Sequence, residues 1–267
     1  MKRQLQALIV LLLLGAARLP LEEAATQQLR QDRLLSAPLD LGLRENLSQM
    51  SFAASLGGLR SLVATITYLK AYHEWENVNW GRVDSLFQIT TSLQPRFPNY
   101  WDEAAWHMAY NAASFYLYDS GVESMVRGKL YDEHVRRGIS ILREGLRYLP
   151  DDARLWNALA EIYERRSHEP EKAAEAYLQV HRLSGNNRYA RFAAYQYAQT
   201  AKPELWKKAY HLLHSSYQKR NQRTPSLIEN LKNLEEKLNI PFPQRIPDPR
   251  PRIEKATIEV GPALPIR

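Results

Sequence analysis

The chain has 267 residues, of which 45% are apolar, so it is long enough for one large or two small domains with a buried core. Glycine is scarce and aromatic residues are plentiful, which favours helices over a β-sandwich or a doubly wound sheet. The lack of cysteine excludes disulfides, thiolate nucleophiles and cysteine-bound metal centres. The net charge of +7 is spread without a run of five basic residues, which indicates a solvated surface rather than a nucleic-acid-binding patch.

The first residues have the pattern of an export segment. Lys2 and Arg3 precede an uncharged, leucine-rich run from Gln4 to Ala17, which ends in small residues suited to a signal peptidase. As an uncleaved helix, Leu5–Leu21 would span about 25 Å, slightly less than a bilayer core of roughly 30 Å. We therefore predict residues 1–21 to be a cleaved signal peptide or a membrane anchor, with the rest of the chain outside the cytoplasm.

A helical linker is predicted over residues 22–51, with a short helix from Glu22 to Leu35. From Phe52 to Trp75, apolar residues return every three or four positions, which predicts an amphipathic helix. Its predicted buried stripe consists of Leu56, Leu59, Leu62, Val63, Ile66, Leu69 and Tyr72.

Proline, glycine and capping residues divide the rest of the chain into further predicted helices. These helices are Trp80–Leu93, Asn99–Tyr118, Tyr131–Tyr148, Ala153–Arg166, Glu171–Leu183, Asn187–Thr200, Pro203–Arg220 and Thr224–Leu238. Asp119 to Gly128 is predicted to be a looser insertion, Asp151-Asp152 an N-cap, and Gly185 a C-cap. The many prolines after Ile240 favour an extended tail over residues 240–267.

A repeat is visible between Pro150 and Gly185, which lie 35 positions apart. The residues between them follow the tetratricopeptide order of large aromatic, small and aromatic positions: Trp156, Ala160, Tyr163, Ala173 and Tyr177. We predict that residues 52–239 form an all-α domain of antiparallel helix pairs, stacked as a tetratricopeptide-type right-handed superhelix. An irregular helical bundle is the alternative.

Four segments resemble a family of tetratricopeptide proteins of planctomycete- and verrucomicrobium-type bacteria, and the resemblance covers about residues 5 to 190. These segments are Leu56–Arg60, Leu93–Trp101, Ala105–Asn111 and Glu144–Tyr148. Proteins of that family look like single N-terminal anchors followed by helical repeats. The resemblance implies this fold and location, and it brings no established activity with it.

Two histidine patterns were considered as possible sites. His107 has Glu103 four positions before it, which an ordinary contact between successive helical turns explains. His211 and His214 lie on one helical face, but a zinc site would need further ligands at a suitable spacing. Acidic pairs such as Glu161 and Glu164 are typical of a solvated helical face. We therefore predict no catalytic residue, no metal site and no cofactor.

The concave face of a helical superhelix is the better candidate for a binding surface. Asparagine there could bond a peptide backbone, and tyrosine or tryptophan would supply rigid contact area. The predicted partner-binding residues are Tyr68, Tyr72, Trp101, Tyr110, Asn111, Asn157, Arg191 and Tyr195.

The predicted function is a membrane-associated or exported scaffold that binds a protein or peptide partner. The alternative is an exported enzyme on a helical superhelix that acts on envelope glycan, which would require convergent, desolvated carboxylates. Nucleic-acid binding would require a continuous basic stripe, and the export segment argues against it. The Pro-rich tail is a candidate tether or ligand for another protein.

Overall fold

The computed structural model describes residues 59–121 and 123–248, and the chain divides into two compact units between Pro150 and Asp151. All regular secondary structure in these residues is helical, as predicted, and they contain no strand. None of the helices in these two ranges has the length and hydropathy needed to cross a membrane. The predicted export segment, the linker and the tail beyond Asp248 lie outside the described residues.

The first unit contains five α-helices and a π-helical turn within its described residues. They are α1 (Arg60–Glu76), α2 (Trp80–Leu93), α3 (Pro98–Trp106), the π-turn (His107–Ala112), α4 (Ala113–Tyr118) and α5 (Ser124–Tyr148). The π-turn joins α3 to α4 without a break, so Pro98 to Tyr118 is one helical run. Helices α1 and α2 pack as a pair, and α5 packs along the whole run.

Helix α1 buries a face that only partly overlaps the predicted stripe. Leu59, Leu62 and Leu69 are each at least half exposed, whereas its buried residues are small. They are Val63, Ala64, Thr67 and Ala71. Small side chains let α2 approach closely, and the Thr67 hydroxyl lies 2.8 Å from the Thr90 hydroxyl across the contact. The predicted stripe is confirmed at Val63 and wrong at Leu59, Leu62 and Leu69, because it favoured large apolar residues over this small-residue face.

Helix α5 begins at Ser124, seven residues before the predicted start at Tyr131. The predicted insertion therefore contains helical residues, including Gly128, whose surroundings are open. A single glycine costs a helix only about 1 kcal/mol, so it did not stop this helix from extending.

Two further glycines in α5 allow close contact with α3 and the π-turn. A Cβ added at Gly138 would lie 2.6 Å from the Ala109 Cβ and 2.9 Å from the Ala105 carbonyl oxygen. A Cβ added at Gly145 would lie 2.7 Å from the Trp101 ring. Real Cβ atoms do not approach other atoms so closely, so glycine is required at both positions.

The second unit consists of regular helices in its described residues. They are α6 (Ala153–Arg165), α7 (Pro170–Ser184), α8 (Asn187–Gln199), α9 (Pro203–Tyr217) and α10 (Pro225–Lys237), with short 3-10 turns at Arg220–Gln222 and Phe242–Gln244. Each successive pair of these α-helices packs together, and alanines supply many of the contacts.

Capping residues fix the ends of these helices. The Asp152 carboxylate accepts backbone N–H bonds from Arg154 and Leu155, and Asn186 caps α8 in a similar way. Gly185 closes α7 with a φ of 67°, in the left-handed region that glycine adopts readily. The predicted N-cap at Asp152 and C-cap at Gly185 are therefore confirmed.

The first part of the predicted Pro-rich tail packs against α10. Ile246 is 4% exposed and joins the hydrophobic core of the second unit. The buried Glu235 carboxylate accepts the backbone N–H of Ile246 at 2.6 Å, and Lys232 pairs with Asp248 at 2.7 Å. Residues up to Asp248 are thus held by side chains of the last helix.

Candidate functional site

A groove of about 710 Å³ lies at one end of the helix pair in the first unit. Its walls come from the end of α1, the start of α2, the π-turn, and α4 with the residues after it. The lining residues are Trp75, Trp80, Tyr110, Asn111, Ser114, Phe115, Tyr118, Asp119 and Ser120. Five of these nine residues are aromatic, and Asp119 is the charged one.

A tight turn between α1 and α2 brings Trp75 and Trp80 to the same edge. Backbone N–H groups of Val78 and Asn79 bond to the carbonyls of Trp75 and Glu74, each at 2.9 Å. Val78 has a φ of 58°, which is costly for a β-branched residue because its Cβ crowds the backbone. The sequence thus keeps local strain in the turn that forms one wall of the groove.

Beneath this region, the Glu103 carboxylate connects α3 with α1. It accepts hydrogen bonds from the hydroxyls of Tyr68, at 3.1 Å, and of Tyr72. Burial raises the pKa of Tyr72, and its hydrogen bond to Glu103 raises it further. Burial likewise raises the pKa of Tyr68. Both phenols therefore remain protonated donors at physiological pH.

His107 begins the π-turn and is 1% exposed. Rings of Tyr72, Trp75 and Phe87 each lie 5.4 Å from its imidazole, centre to centre. Burial lowers the pKa of His107 to about 4, so the ring is neutral near pH 7. Its Nδ1 lies 3.1 Å from the Asn111 amide nitrogen, which can donate to it.

Glu103 and His107 form hydrogen bonds with different partners, although Glu103 lies close enough to oppose the lowering of the His107 pKa. The Glu103 carboxylate faces the tyrosines, and His107 pairs with Asn111. Because Asn111 also lines the groove, the buried imidazole holds the orientation of an amide at the groove edge. A π-turn often marks a functional position in a helix, and here it carries both residues.

Five of the predicted partner-binding residues belong to the first unit. Tyr110 and Asn111 line the groove, and Tyr68 and Tyr72 lie in the Glu103 cluster beside it. Trp101 is 3% exposed, and its indole N–H donates to the Pro95 carbonyl at 2.9 Å, so it lies in the core.

The other three predicted residues belong to the second unit. The Asn157 amide donates to Glu161 one turn further along α6, at 2.9 Å. The Tyr195 hydroxyl lies 3.3 Å from the Ser226 hydroxyl, and Arg191 is half-buried on α8. In the acidic pair Glu161 and Glu164, Glu161 accepts the hydrogen bond from Asn157, whereas Glu164 accepts hydrogen bonds from Tyr177 and Gln196.

Seven of the nine residues that line the groove were not predicted from the sequence. These residues are Trp75, Trp80, Ser114, Phe115, Tyr118, Asp119 and Ser120. A usable signal was present, since Trp75 and Trp80 flank a short polar turn and residues 115–118 read Phe-Tyr-Leu-Tyr. The sequence predicts an insertion after Tyr118, and this prediction does not assign the aromatic residues leading into it to a binding surface.

A second groove, of about 640 Å³, lies in the second unit between the start of α7 and the turn before α9. Both of its lysines are already paired, Lys172 with Glu169 and Lys202 with Glu171. Five aromatic side chains line the groove of the first unit, whereas the described lining of the second groove contains none, so the first groove is the stronger candidate.

Within the described ranges, no cluster of three or more histidine, aspartate or glutamate residues has the geometry of a metal site. The chain matches no family model, and it has no significant match among curated proteins.

Proposed function

We propose that this protein is an interaction scaffold of the tetratricopeptide type that binds a protein partner in the groove of its first unit. The observation that carries this proposal is the groove itself, an open concave surface of about 710 Å³ walled by five aromatic side chains. Aromatic residues are enriched at the centres of protein interfaces because they bury a large area at a small cost in side-chain entropy.

The spacing of helices in the second unit supports the tetratricopeptide interpretation. Helices α6 and α8 start 34 residues apart, at Ala153 and Asn187, and helices α7 and α9 start 33 apart, at Pro170 and Pro203. A tetratricopeptide repeat is about 34 residues long and consists of one such helix pair. Four of the five residues that suggested the repeat are buried between helices, namely Ala160, Tyr163, Ala173 and Tyr177.

The groove also carries features that a solvated surface would not need. Phe115 is 43% exposed and Tyr118 is 79% exposed, so two large rings face solvent. The buried indole N–H of Trp80 has no hydrogen-bond acceptor among the described residues. An unsatisfied buried donor costs about 1–3 kcal/mol, so the Trp80 indole is held in the wall of the groove at a cost in stability.

The N-terminal segment supports a location at or beyond the cytoplasmic membrane. Lys2, Arg3 and the leucine-rich run after them would direct the chain to export, by an anchor or a cleaved signal. Fractionation followed by N-terminal sequencing would distinguish the two forms. A protein found only in the cytoplasm would contradict this part of the proposal.

The binding proposal is tested by site-specific photocrosslinking in native membranes. A photoactivatable residue replaces Tyr118 at the groove or Met125 on α5, which is 81% exposed and does not line the groove. We expect one recurrent partner from position 118 and none from position 125. The Phe115→Ala variant should weaken the crosslink from position 118, whereas Leu69→Ala, a change at an exposed residue of α1, should not.

The result that would contradict the proposal is a crosslink pattern that does not depend on the groove. Equal recovery of the same proteins from positions 118 and 125 would be such a pattern, as would a crosslink from position 118 that survives Phe115→Ala unchanged.

A further inference from the structure

We infer that the groove of the first unit accepts a cationic side chain, an arginine or a lysine, from the partner protein. This inference rests on the proposed function, because it specifies the chemistry of the partner at the same groove. It follows from three features of the lining: its aromatic rings, the Asp119 carboxylate without an ion-pair partner among the described residues, and the C-terminal end of a long helical run.

The aromatic walls suit a cation. A guanidinium or ammonium group within about 6 Å of a ring centroid is attracted to the negative face of the ring, and several such rings form an aromatic cage. Here Trp75, Trp80, Tyr110, Phe115 and Tyr118 line one groove, and the Trp80 and Phe115 rings lie 5.9 Å apart. The groove has room for a long side chain and the backbone that carries it.

The acid at this groove is left without a cationic partner. Asp119 accepts the backbone N–H of Gly121 at 2.9 Å, and none of the ion pairs formed among the described residues involves it. Two other acids of the same unit are paired: Asp84 receives two bonds from the Arg137 guanidinium, and Glu74 pairs with Arg82 at 3.1 Å. Asp119 is therefore available to an incoming cation.

The helical run that starts at Pro98 ends at Tyr118, beside Asp119. Carbonyl groups at the C-terminal end of a helix carry partial negative charge, which favours a cation there. This field and the Asp119 carboxylate have the same sign, and no lysine or arginine is found among the described residues that line the groove. The local potential thus opposes the chain's overall charge of +7 and favours a basic ligand over an acidic one.

The test uses the full-length protein in detergent micelles with 5-fluorotryptophan in place of tryptophan. The chain has six tryptophans, so single Trp→Phe variants would assign each fluorine resonance. The probes are N-acetyl-arginine amide and N-acetyl-citrulline amide, which have nearly the same shape but differ in charge. Resonances of Trp75 and Trp80 report on the groove, and those of Trp156 and Trp206 in the second unit serve as internal references.

We expect the arginine probe to shift the Trp75 and Trp80 resonances saturably, with binding about three- to fivefold weaker for citrulline and for Asp119→Asn. Asp132→Asn makes the same change of charge at an exposed position outside the groove, so it should leave binding unchanged. Equal binding of the two probes, no effect of Asp119→Asn, or no shift of either resonance would overturn the inference.

Photocrosslinking from position 118 separates this inference from the proposed function. If the crosslink to the partner persists at full strength in Asp119→Asn, the groove binds a partner without using a cation, and only this inference fails. If the crosslink from position 118 is missing when Asp119 is retained as well, the proposed function fails with it.

Discussion

The two units of this chain are both helical in their described residues, but their helices differ in how regularly they pack. In the second unit, helices start at intervals of 33 and 34 residues, and the contacts between them are largely alanine, leucine and tyrosine. In the first unit, a π-turn and two close glycine contacts interrupt that regularity. The comparison teaches that the aromatic-lined groove belongs to the irregular unit, whereas the described lining of the groove in the regular unit contains no aromatic side chain.

The two units also differ in their balance of basic and acidic side chains. Residues 59–150 contain ten basic and ten acidic side chains, whereas residues 151–248 contain 16 basic and 12 acidic ones. Within the described residues, the basic excess therefore belongs to the regular unit. The neutral balance of the first unit leaves Asp119 and the helix end beside it as the local source of potential at the groove.

The largest expected effect is on the regular core. Leu213 is fully buried in the second unit, so Leu213→Ala should lower the free energy of unfolding by about 2–5 kcal/mol, through lost burial and a cavity. Urea unfolding would measure the change. Leu62→Ala, at a residue that is 54% exposed, is the control and should change stability by less than about 0.5 kcal/mol. Similar losses for both variants would show that core and surface had been assigned wrongly.

The next effect concerns the close contact in the irregular unit. Gly138→Ala places a Cβ against Ala109 and the Ala105 carbonyl, so we expect a loss of about 1–3 kcal/mol from overpacking. Gly128→Ala, in the same helix but in open space, should be neutral or stabilising by up to about 1 kcal/mol. Thermal unfolding of the two variants would test this, and a Gly138→Ala protein as stable as the parent would contradict the contact.

A smaller effect depends on pH. The pKa of His107 is about 4 in the fold, below its ordinary value, so the unfolded chain binds the proton more readily. Stability should therefore decrease as the pH falls from about 6.5 towards 4, by about 1 kcal/mol at pH 5.5. His107→Gln should remove this part of the pH dependence, whereas His73→Gln, at an exposed residue, should retain it. Identical pH profiles for the two variants would argue against a buried neutral imidazole.

The smallest effect is at a helix end in the regular unit. Asp152→Ala removes the cap that accepts two backbone N–H bonds, which should cost about 1 kcal/mol. Asp151→Ala, at the exposed residue before it, makes the same change of charge without removing a cap. Calorimetry of both variants would separate capping from charge, and equal effects would remove the role assigned to Asp152.

The regular unit was the more predictable of the two from sequence. Its helix boundaries follow from Pro170, Pro203, Asp152 and Gly185, which act through local backbone geometry and need no tertiary information. Prediction was weaker in the irregular unit because the decisive interactions are non-local. Nothing near Thr67 in sequence indicates that it meets Thr90, and that contact selects the buried face of α1.

The groove was predicted only in part, because its lining also depends on contacts between residues that are distant in sequence. Tyr110 and Asn111 were identified as residues that could contact a partner, but their neighbours Trp75 and Trp80 come from another helix pair. The π-turn has no residue signature comparable to a glycine or proline, so the sequence gives no local sign of it. It is stabilised by the enclosure of His107, which depends on rings from α1 and α2.

The π-turn also sets the rotational phase of the helix that follows it. A turn closed by bonds between residues five apart holds one residue more than an α-helical turn, and each α-helical residue advances about 100° around the axis. Ser114, Phe115 and Tyr118 would therefore face a direction about 100° away if the run were α-helical throughout. Deletion of a single residue between His107 and Ala112 would restore a regular helix. It would turn the groove-lining residues of α4 away from the groove without any substitution in α4 itself.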